Sequence, residues 1–522
     1  MKLKMTYSGT ALSLLLLLSG CDNDTTSPVL QTTLLETENA VSQTSLWKFD
    51  GNVTDNIAVK TLTLTLELNG ETSEIELNDG ETNGGWLNNG TFSIAAALKA
   101  GANPYTLTAR DRSGNKTTIS GSVYLGHTTA AGGSHSGALY NGALYTWGRN
   151  NYGQTGLGYT SSLSDSSSGA HPATPFKLTT PDTNAIVSLS FNQNFSVALD
   201  EAGNVWSWGD NADGELGRGA STDICGSSAT EPDCILSIGQ VQNLTDVVAI
   251  SAGYSHTLAL KNDGTVWAFG TNGDGELGTG DTNATAGPVQ VLWTGIESVN
   301  VVQVSAGSDF SCALDDQGRL WAWGKNNYGQ LGQGAKGNDD QLTPIEVPFA
   351  EGVKIVSVAT GKGHALALDA NGTVYGWGLN ASSQVGYYGY QYKGTDDAWA
   401  SYVLSPAEVV PADADNPVVA VFANGNSSYI LRADKKIYPW GQYGETDETG
   451  KTSYANLDFP EDKLTAVTSV KDVAAGALHM VAVQEDGTVF TWRWSFEGSL
   501  GGGESTVNAW MYNYPVKPVF PE

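Results

Sequence analysis

Alternating apolar and polar positions run through most of the chain, and they predict strands rather than helices. Val59-Lys60-Thr61-Leu62-Thr63-Leu64-Thr65-Leu66-Glu67-Leu68 alternates strictly, which marks a strand with one buried face. Asn69-Gly70 after it suits a hairpin turn. Further strand patterns cover Thr91 to Ala97, Tyr105 to Arg110 and Thr117 to Leu125. From about residue 127 onward the runs come in sets. A β-branched run such as Val301-Val302-Gln303-Val304 leads, and an alternating piece such as Thr257-Leu258-Ala259-Leu260 follows. A turn such as Asn262-Asp263-Gly264 comes next, where Gly supplies positive φ. The third run ends in an aromatic-Gly pair. A fourth opens with Pro288, Pro344 or Pro406, a residue that suits a strand start or edge because it donates nothing to the ladder.

The set occurs seven times. Its anchoring aromatics are Trp147, Trp208, Phe269, Trp323, Trp377, Trp440 and Trp492, spaced 52 to 63 residues apart. Recurrence at roughly 50 residues points to propellers, solenoids or arrays, and four short antiparallel strands per unit favour a β-propeller. The shared residues are therefore expected to be scaffold, with function lying where the copies differ. The last unit runs into Tyr514-Pro515-Val516-Lys517-Pro518-Val519, which matches the Pro-started strand, while the first unit, at His127, lacks a comparable strand just before it. Residues 514–520 are thus expected to complete the first blade.

The phrases ATGKGHALALDANGTVYGWG and Gly324-Lys325-Asn326-Asn327-Tyr328-Gly329-Gln330-Leu331-Gly332 resemble the regulator of chromosome condensation repeat. The likeness covers 127–522 and implies a seven-bladed β-propeller in which each Trp wedges between blades. His135, His256, His364 and His479 occupy the repeat's His position, but Phe195, Phe310 and Ser427 replace it elsewhere. A catalytic or metal-binding His would not swap for Phe around a ring, so these are read as structural. Ahead of the repeats, residues 46–126 resemble a bacterial immunoglobulin-like β-sandwich, with Asp111, Gly114 and Asn115 at the turn of its last hairpin. The fold class expected is all-β, a seven-bladed propeller preceded by this small sandwich.

Charge and the N-terminus narrow the setting. The formal net charge is -29, which repels phosphate backbones, so no nucleic acid is expected as partner. Lys2 and Lys4 precede the apolar run Ala11 to Ser19, too short for a permanent span of about 20 residues. Leu18-Ser19-Gly20-Cys21 resembles a lipobox, which implies acylation of Cys21 and a lipid anchor as the only membrane contact. Residues 1–21 are read as a lipoprotein signal peptide and 22–45, rich in Thr, Ser, Asn and Asp, as a flexible linker. The protein is expected in the bacterial cell envelope, outside the cytoplasm and monomeric, with the choice of inner or outer membrane open. Cys225 and Cys234, nine positions apart in one loop, are expected to form a disulfide in that oxidising compartment.

Reactive constellations are missing from the sequence. There is no H-E-x-x-H, no G-x-S-x-G and no C-x-x-C, so no catalytic residue, metal or cofactor is assigned. Long insertions follow Gly158, Gly219, Gly386, Gly441 and Gly503, all between the Gly-rich turn and the fourth strand. Such loops share one propeller face. Two carry aromatics of the kind that anchor interfaces: Tyr387, Tyr388, Tyr390, Tyr392, Trp399 and Tyr402 in one, Trp510 and Tyr512 in the other. The function expected is protein binding by this face, as a docking or scaffold module. A glycan-binding protein or an envelope hydrolase is the alternative. Guanine nucleotide exchange, the activity of the family's namesake, is a third that export disfavours.

Overall fold

A computed structural model describes residues 29–32, 39–54, 61–68, 71–78, 85–88, 91–110, 114–161, 172–225, 233–296, 299–337, 340–386, 401–441, 444–446, 452–454, 466–477, 479–493, 498–503 and 512–521. It resolves into two compact units, one built on 46–98 and 102–124, the other on 125–522 together with 41–45 and 99–101.

The first unit holds two antiparallel sheets. One places Leu46–Thr54 between Val29–Thr32 and Thr91–Ala97, with Gly85–Asn88 beyond. The other runs Asn39–Ser42, Lys116–Leu125, Gly101–Arg110, Thr61–Leu68, Glu71–Asn78. Alternation works as the pattern predicts: Tyr105, Leu107 and Ala109 are buried while their neighbours in the strand face outward. Phe49 of the first sheet meets Tyr105 of the second edge to face, with ring centroids 4.8 Å apart. The stretch read as a linker is a correction. Val29–Thr32 pairs with Leu46–Thr54, Val29 opposite Thr54, and Asn39–Ser42 is the edge strand of the second sheet. An edge strand needs only backbone hydrogen bonds and a side chain or two to bury, here Leu30, so its polar composition concealed it.

The second unit is a seven-bladed β-propeller. Blade one is Thr129–Ala131, His135–Tyr140, Ala143–Gly148 and Phe176–Leu178; blade two is Ile186–Asn192, Phe195–Asp200, Val205–Asp210 and Cys234–Gln240. Blade three is Val247–Ala252, His256–Lys261, Val266–Gly270 and Thr285–Gln290; blade four is Val301–Ala306, Phe310–Asp315, Leu320–Gly324 and Gln341–Glu346. Blade five is Ile355–Thr360, His364–Asp369, Val374–Leu379 and Tyr402–Val410. Blade six shows Val418–Asn424, Ser427–Arg432 and Ile437–Gly441 among the described residues, and blade seven is Val470–Ala475, His479–Gln484, Val489–Arg493 and Tyr512–Val516. Pro288, Pro344 and Pro406 lie inside the outer strands rather than at their starts. Each strand begins earlier and passes a register shift beside the aromatic-Gly pair; on the blade's outer edge a missing N–H costs no ladder bond.

The expected closure by 514–520 is also corrected. Blade one has its own inner strand, Thr129–Ala131, with Thr129 opposite Ala138. Tyr512–Val516 completes blade seven instead, Val516 opposite Thr491 and Tyr512 opposite Arg493. The first inner strand escaped notice because Thr129-Ala130-Ala131 has no β-branched apolar run. The ring closes with the contacts used elsewhere. Trp293, beyond the outer strand of blade three, sits edge-on to Trp321 and Trp323 of blade four at 5.5 and 6.3 Å. Phe349 does the same to Tyr375 and Trp377. Phe520 does it from blade seven, at 5.2 Å from Tyr145 and 6.1 Å from Trp147.

The anchoring aromatics are fully buried at these junctions. Trp147, Trp208, Trp323, Trp377 and Trp440 each donate Nε1–H to a carbonyl of the preceding blade, that of Ser499, Gln154, Glu276, Gln330 and Gln384 respectively, at 2.9 to 3.1 Å. The Gly after each Trp has positive φ; a Cβ on Gly148 would lie 2.5 Å from the Ser134 carbonyl oxygen. Blade seven breaks the rule, placing Arg493 there at φ 83. Its guanidinium reaches blade six, where Nη1 donates to Ser427 Oγ at 3.2 Å and to Tyr429 Oη at 3.3 Å. Arg493→Ala keeps the left-handed backbone strain of about 1–2 kcal/mol and forfeits the bonds, whereas Arg493→Gly forfeits the bonds but relieves the strain. The glycine variant is therefore expected to melt above the alanine variant; the reverse order in calorimetry would show that φ 83 is unstrained there.

Candidate functional site

Each third strand ends where the second begins, His135 opposite Gly148 and His364 opposite Gly378. The connection after the third strand therefore leaves from the same end of the blade as the one joining inner and second strands. Its turn is built from the repeat itself. Asn150, Asn211, Asn272, Asn326 and Asn380 accept, through Oδ1, the backbone N–H five residues on, at 2.9 to 3.2 Å. The insertions after Gly158, Gly219 and Gly386 follow these turns, and the third strands of blades six and seven end at the same end of their blades, Gly441 opposite Ser427 and Arg493 opposite His479.

The structure places two of the proposed anchors. Tyr402 pairs opposite Leu379, just beyond Trp377-Gly378, and Tyr512 pairs opposite Arg493, next to Trp492; both begin their strands at the insertion end. The Tyr402 ring stacks on Tyr328 of blade four at 5.9 Å, and Lys336 Nζ sits 3.7 Å from its centroid. Tyr387, Tyr388, Tyr390, Tyr392, Trp399 and Trp510 lie outside the described residues, as do Cys21 and the rest of the signal segment. Tyr254, 46% exposed, adds an aromatic to the same face from a connection that sequence reasoning passed over. Cys225 and Cys234 are joined, with Cα atoms 6.2 Å apart, and Cys234 sits opposite Asp210 at this end of blade two. Asp233 lies beside them, but both sulfurs are spent on each other.

Charge on this face is uneven. Asp210, Asp213 and Glu215 crowd the turn of blade two, and burial pushes the Asp210 carboxyl up to about 6. In the next sector Lys325 Nζ bridges Asp274 at 2.8 Å and Asp309 at 3.4 Å.

The repeated His are not reactive. His135, His256, His364 and His479 are fully buried, and Nε2 of each lies 2.7 to 3.0 Å from a Ser Oγ of the adjoining blade: Ser196, Ser311, Ser428 and Ser136. Each of those hydroxyls donates to a backbone carbonyl, that of Gln154, Glu276, Gln384 or Ser499. A carbonyl can only accept, so the Ser oxygen must receive the Nε2–H. That fixes the neutral tautomer and leaves Nδ1 without a partner. Burial holds all four rings down at about pKa 3. The Ser–His contacts are stitches between blades: each hydroxyl proton goes to a carbonyl, and the ring presents the Ser oxygen with an N–H rather than a base.

A cavity of about 150 Å³ lies where the inner strands converge, lined by Ser190, Ser251, Gln303, Ser305, Thr360 and Asn424 among others. Its polar groups are committed to neighbouring blades. Ser190, Ser251 and Ser305 accept the backbone N–H of Ala252, Ala306 and Thr360, and Gln303 bonds both N–H and C=O of Val358. Neither cavity nor stitches assemble a nucleophile with a general base.

The repeat chemistry and blade count agree with comparison to known proteins. The pattern for the RCC1-like domain matches residues 226–520, and that for the regulator of chromosome condensation (RCC1) repeat matches 141–199. The chain belongs to the RCC1-like domain family. It is 30% identical over 338 residues to the ultraviolet-B receptor UVR8 of Arabidopsis thaliana, covering 63% of this chain and 70% of that protein. It is 32% identical over 257 residues to the E3 ubiquitin-protein ligase HERC2 of Homo sapiens, covering 48% of this chain but only 5% of that one. The crystal structure of Prp20p from Saccharomyces cerevisiae superposes with a TM-score of 0.55 at 23% identity, over 75% of this chain and 87% of that one, which shows the shared fold. No helix among the described residues is long and apolar enough to cross a membrane.

Proposed function

We propose that this RCC1-like protein is a lipid-anchored docking module of the bacterial cell envelope, binding a protein partner through the long-loop face of its propeller. The carrying observation is the division of labour within the repeats. The Trp, Gly, His and Ser positions are consumed in holding blades together, whereas the longest insertions in the sequence all follow a third strand, and the described ends of those strands lie at one end of their blades. The relatives support a binding role. Prp20p has binding properties to Gsp1p and histones, and yeast RCC1 (Prp20) has been crystallised bound to Kap60. Anchoring rests on Leu14 to Cys21, and the N-terminal unit is read as an immunoglobulin-like spacer between anchor and propeller.

The test is affinity capture from envelope extract with residues 22–522, against a variant carrying Y388A, Y390A, W399A and W510A. A protein retained by the parent and lost by the variant supports the docking reading. Equal retention by both removes these loops from it. Binding to a glycan array without protein capture would turn the reading to a carbohydrate ligand.

A further inference from the structure

We propose that the axial cavity of the propeller holds a small oxyanion, of the size of sulfate, phosphate or a short dicarboxylate, seated against the His127 ring. The site is separate from the long-loop face and does not depend on the docking reading.

His127 differs from the four stitching histidines. Its Nδ1 lies 3.1 Å from Asp472 Oδ1, its side chain is 36% exposed, and it stands in the wall of the cavity. It precedes the first inner strand, Thr129–Ala131, whose other end leads to His135–Tyr140. It therefore sits at the end of the ring away from the long connections. Blade two fixes its backbone: the His127 N–H donates to Ser188 Oγ at 3.1 Å, and its carbonyl accepts the Leu189 N–H at 2.9 Å. Asp472 is buried and spends Oδ2 on the backbone N–H groups and hydroxyls of Thr128 and Thr129. An ionised carboxylate can only accept, so Nδ1 carries the proton that faces it. Among the described residues Nε2 meets no partner. Asp472 is the charged group acting on this ring. Burial works to lower the His127 pKa, and the carboxylate outweighs it and raises it. The pair is thus oriented, with its negative end in the seam and its positive end left for the cavity.

What the neighbouring side chains have left to give is hydrogen. Ser190 and Ser251 each use Oγ to accept a backbone N–H of the next blade, at 2.9 Å, and among the described residues neither hydroxyl proton has an acceptor. Gln43, which groups with the propeller unit, accepts the Ser357 hydroxyl through Oε1 at 2.5 Å; among the described residues both Nε2 protons remain unspent. Gln303 Nε2 gives one proton to the Val358 carbonyl at 3.0 Å and has a second over. Among the described residues no Asp or Glu stands in the wall, although the chain carries 55 of them, and His127 is its one ionisable side chain. A cation would find no carboxylate here. An oxyanion finds a positive ring and short donors, the combination that offsets the loss of its water. At about 150 Å³ the cavity has room for several waters and hence for one ion of this size.

Equilibrium dialysis of the full chain with radiolabelled sulfate tests the site, because sulfate keeps its charge across the range used. At constant ionic strength a single saturable site per chain is expected at about pH 6, with affinity falling about tenfold or more by about pH 9.5 as the imidazolium is lost. Malonate and inorganic phosphate are then added as competitors. Stronger competition by malonate assigns the natural ligand to the carboxylates, stronger competition by phosphate to the phosphates, and either supports the site. H127Q is expected to abolish binding, and Q43A to weaken it while leaving the pair of His127 and Asp472 in place. No saturable binding of any of the three anions at about pH 6, equal affinity at both pH values, or unchanged binding in H127Q overturns the proposal. Should H127Q fail to fold, Q43A and the pH series on the parent chain still decide it.

Discussion

Replacing Asp472 by alanine is expected to cost about 3–5 kcal/mol of propeller stability, because a buried, fully bonded carboxylate leaves its donors stranded when removed. Asp472 lies on the inner strand of blade seven and is 2% exposed. Its Oδ2 accepts the backbone N–H of Thr128 at 2.6 Å and of Thr129 at 3.2 Å, together with both threonine hydroxyls. Oδ1 lies 3.1 Å from His127 Nδ1. One side chain thus holds the start of blade one against the end of the ring. Burial works to raise the Asp472 pKa, but the His127 charge and the hydrogen bonds outweigh it and lower it. Burial likewise works to lower the His127 pKa, and Asp472 outweighs it and raises it. The carboxylate's contribution is therefore lost as pH falls through its depressed folded value, and the imidazolium's as pH rises through its elevated one. Urea titrations of parent and Asp472→Ala should differ most between those limits, with Asp472→Asn intermediate. A midpoint unchanged by the alanine variant would mean that the seam is held without it.

The second large effect concerns an interior junction. Trp323→Ala is expected to destabilise by about 3–5 kcal/mol, the usual range for emptying a fully buried aromatic site. The indole is completely enclosed, packs 6.3 Å from Trp293, and donates to the Glu276 carbonyl at 2.9 Å. Trp323→Phe should cost far less, for two reasons visible nearby. Blade three already carries Phe269 at the equivalent place. The Glu276 carbonyl would keep the Ser311 hydroxyl, as the Glu215 carbonyl keeps that of Thr257. Equal losses for Phe and Ala would locate the energy in the indole hydrogen bond rather than in filled volume.

What could be read in advance follows from how local the signals are. The Trp-Gly pairs, the Asn turns and the alternating second strands are set by residues within a few positions, so the repeated sequence carried the propeller and its blade count. The seam was misplaced because Thr129-Ala130-Ala131 pairs through its backbone and is pinned by Asp472, more than three hundred residues away. Val29–Thr32 and Asn39–Ser42 were hidden for a related reason, since edge strands ask little of their side chains. The stitching role of the His position was legible from its exchange with Phe. Its Ser partners were not, because each belongs to the next blade. On the loop face, Tyr402 was singled out for exposure and is found stacked on Tyr328 under Lys336.

The junction between the last blade and the first bears on how such a ring can be rearranged. With no shared strand across it, and with Phe520 acting there as Trp293 and Phe349 act elsewhere, this seam carries no topological privilege. Chain ends moved to another junction, with 520 joined to 127 through a short glycine bridge, would leave every sheet intact. The wheel is in this sense indifferent to where translation begins, and circular permutants cut between blades should be recoverable as folded protein.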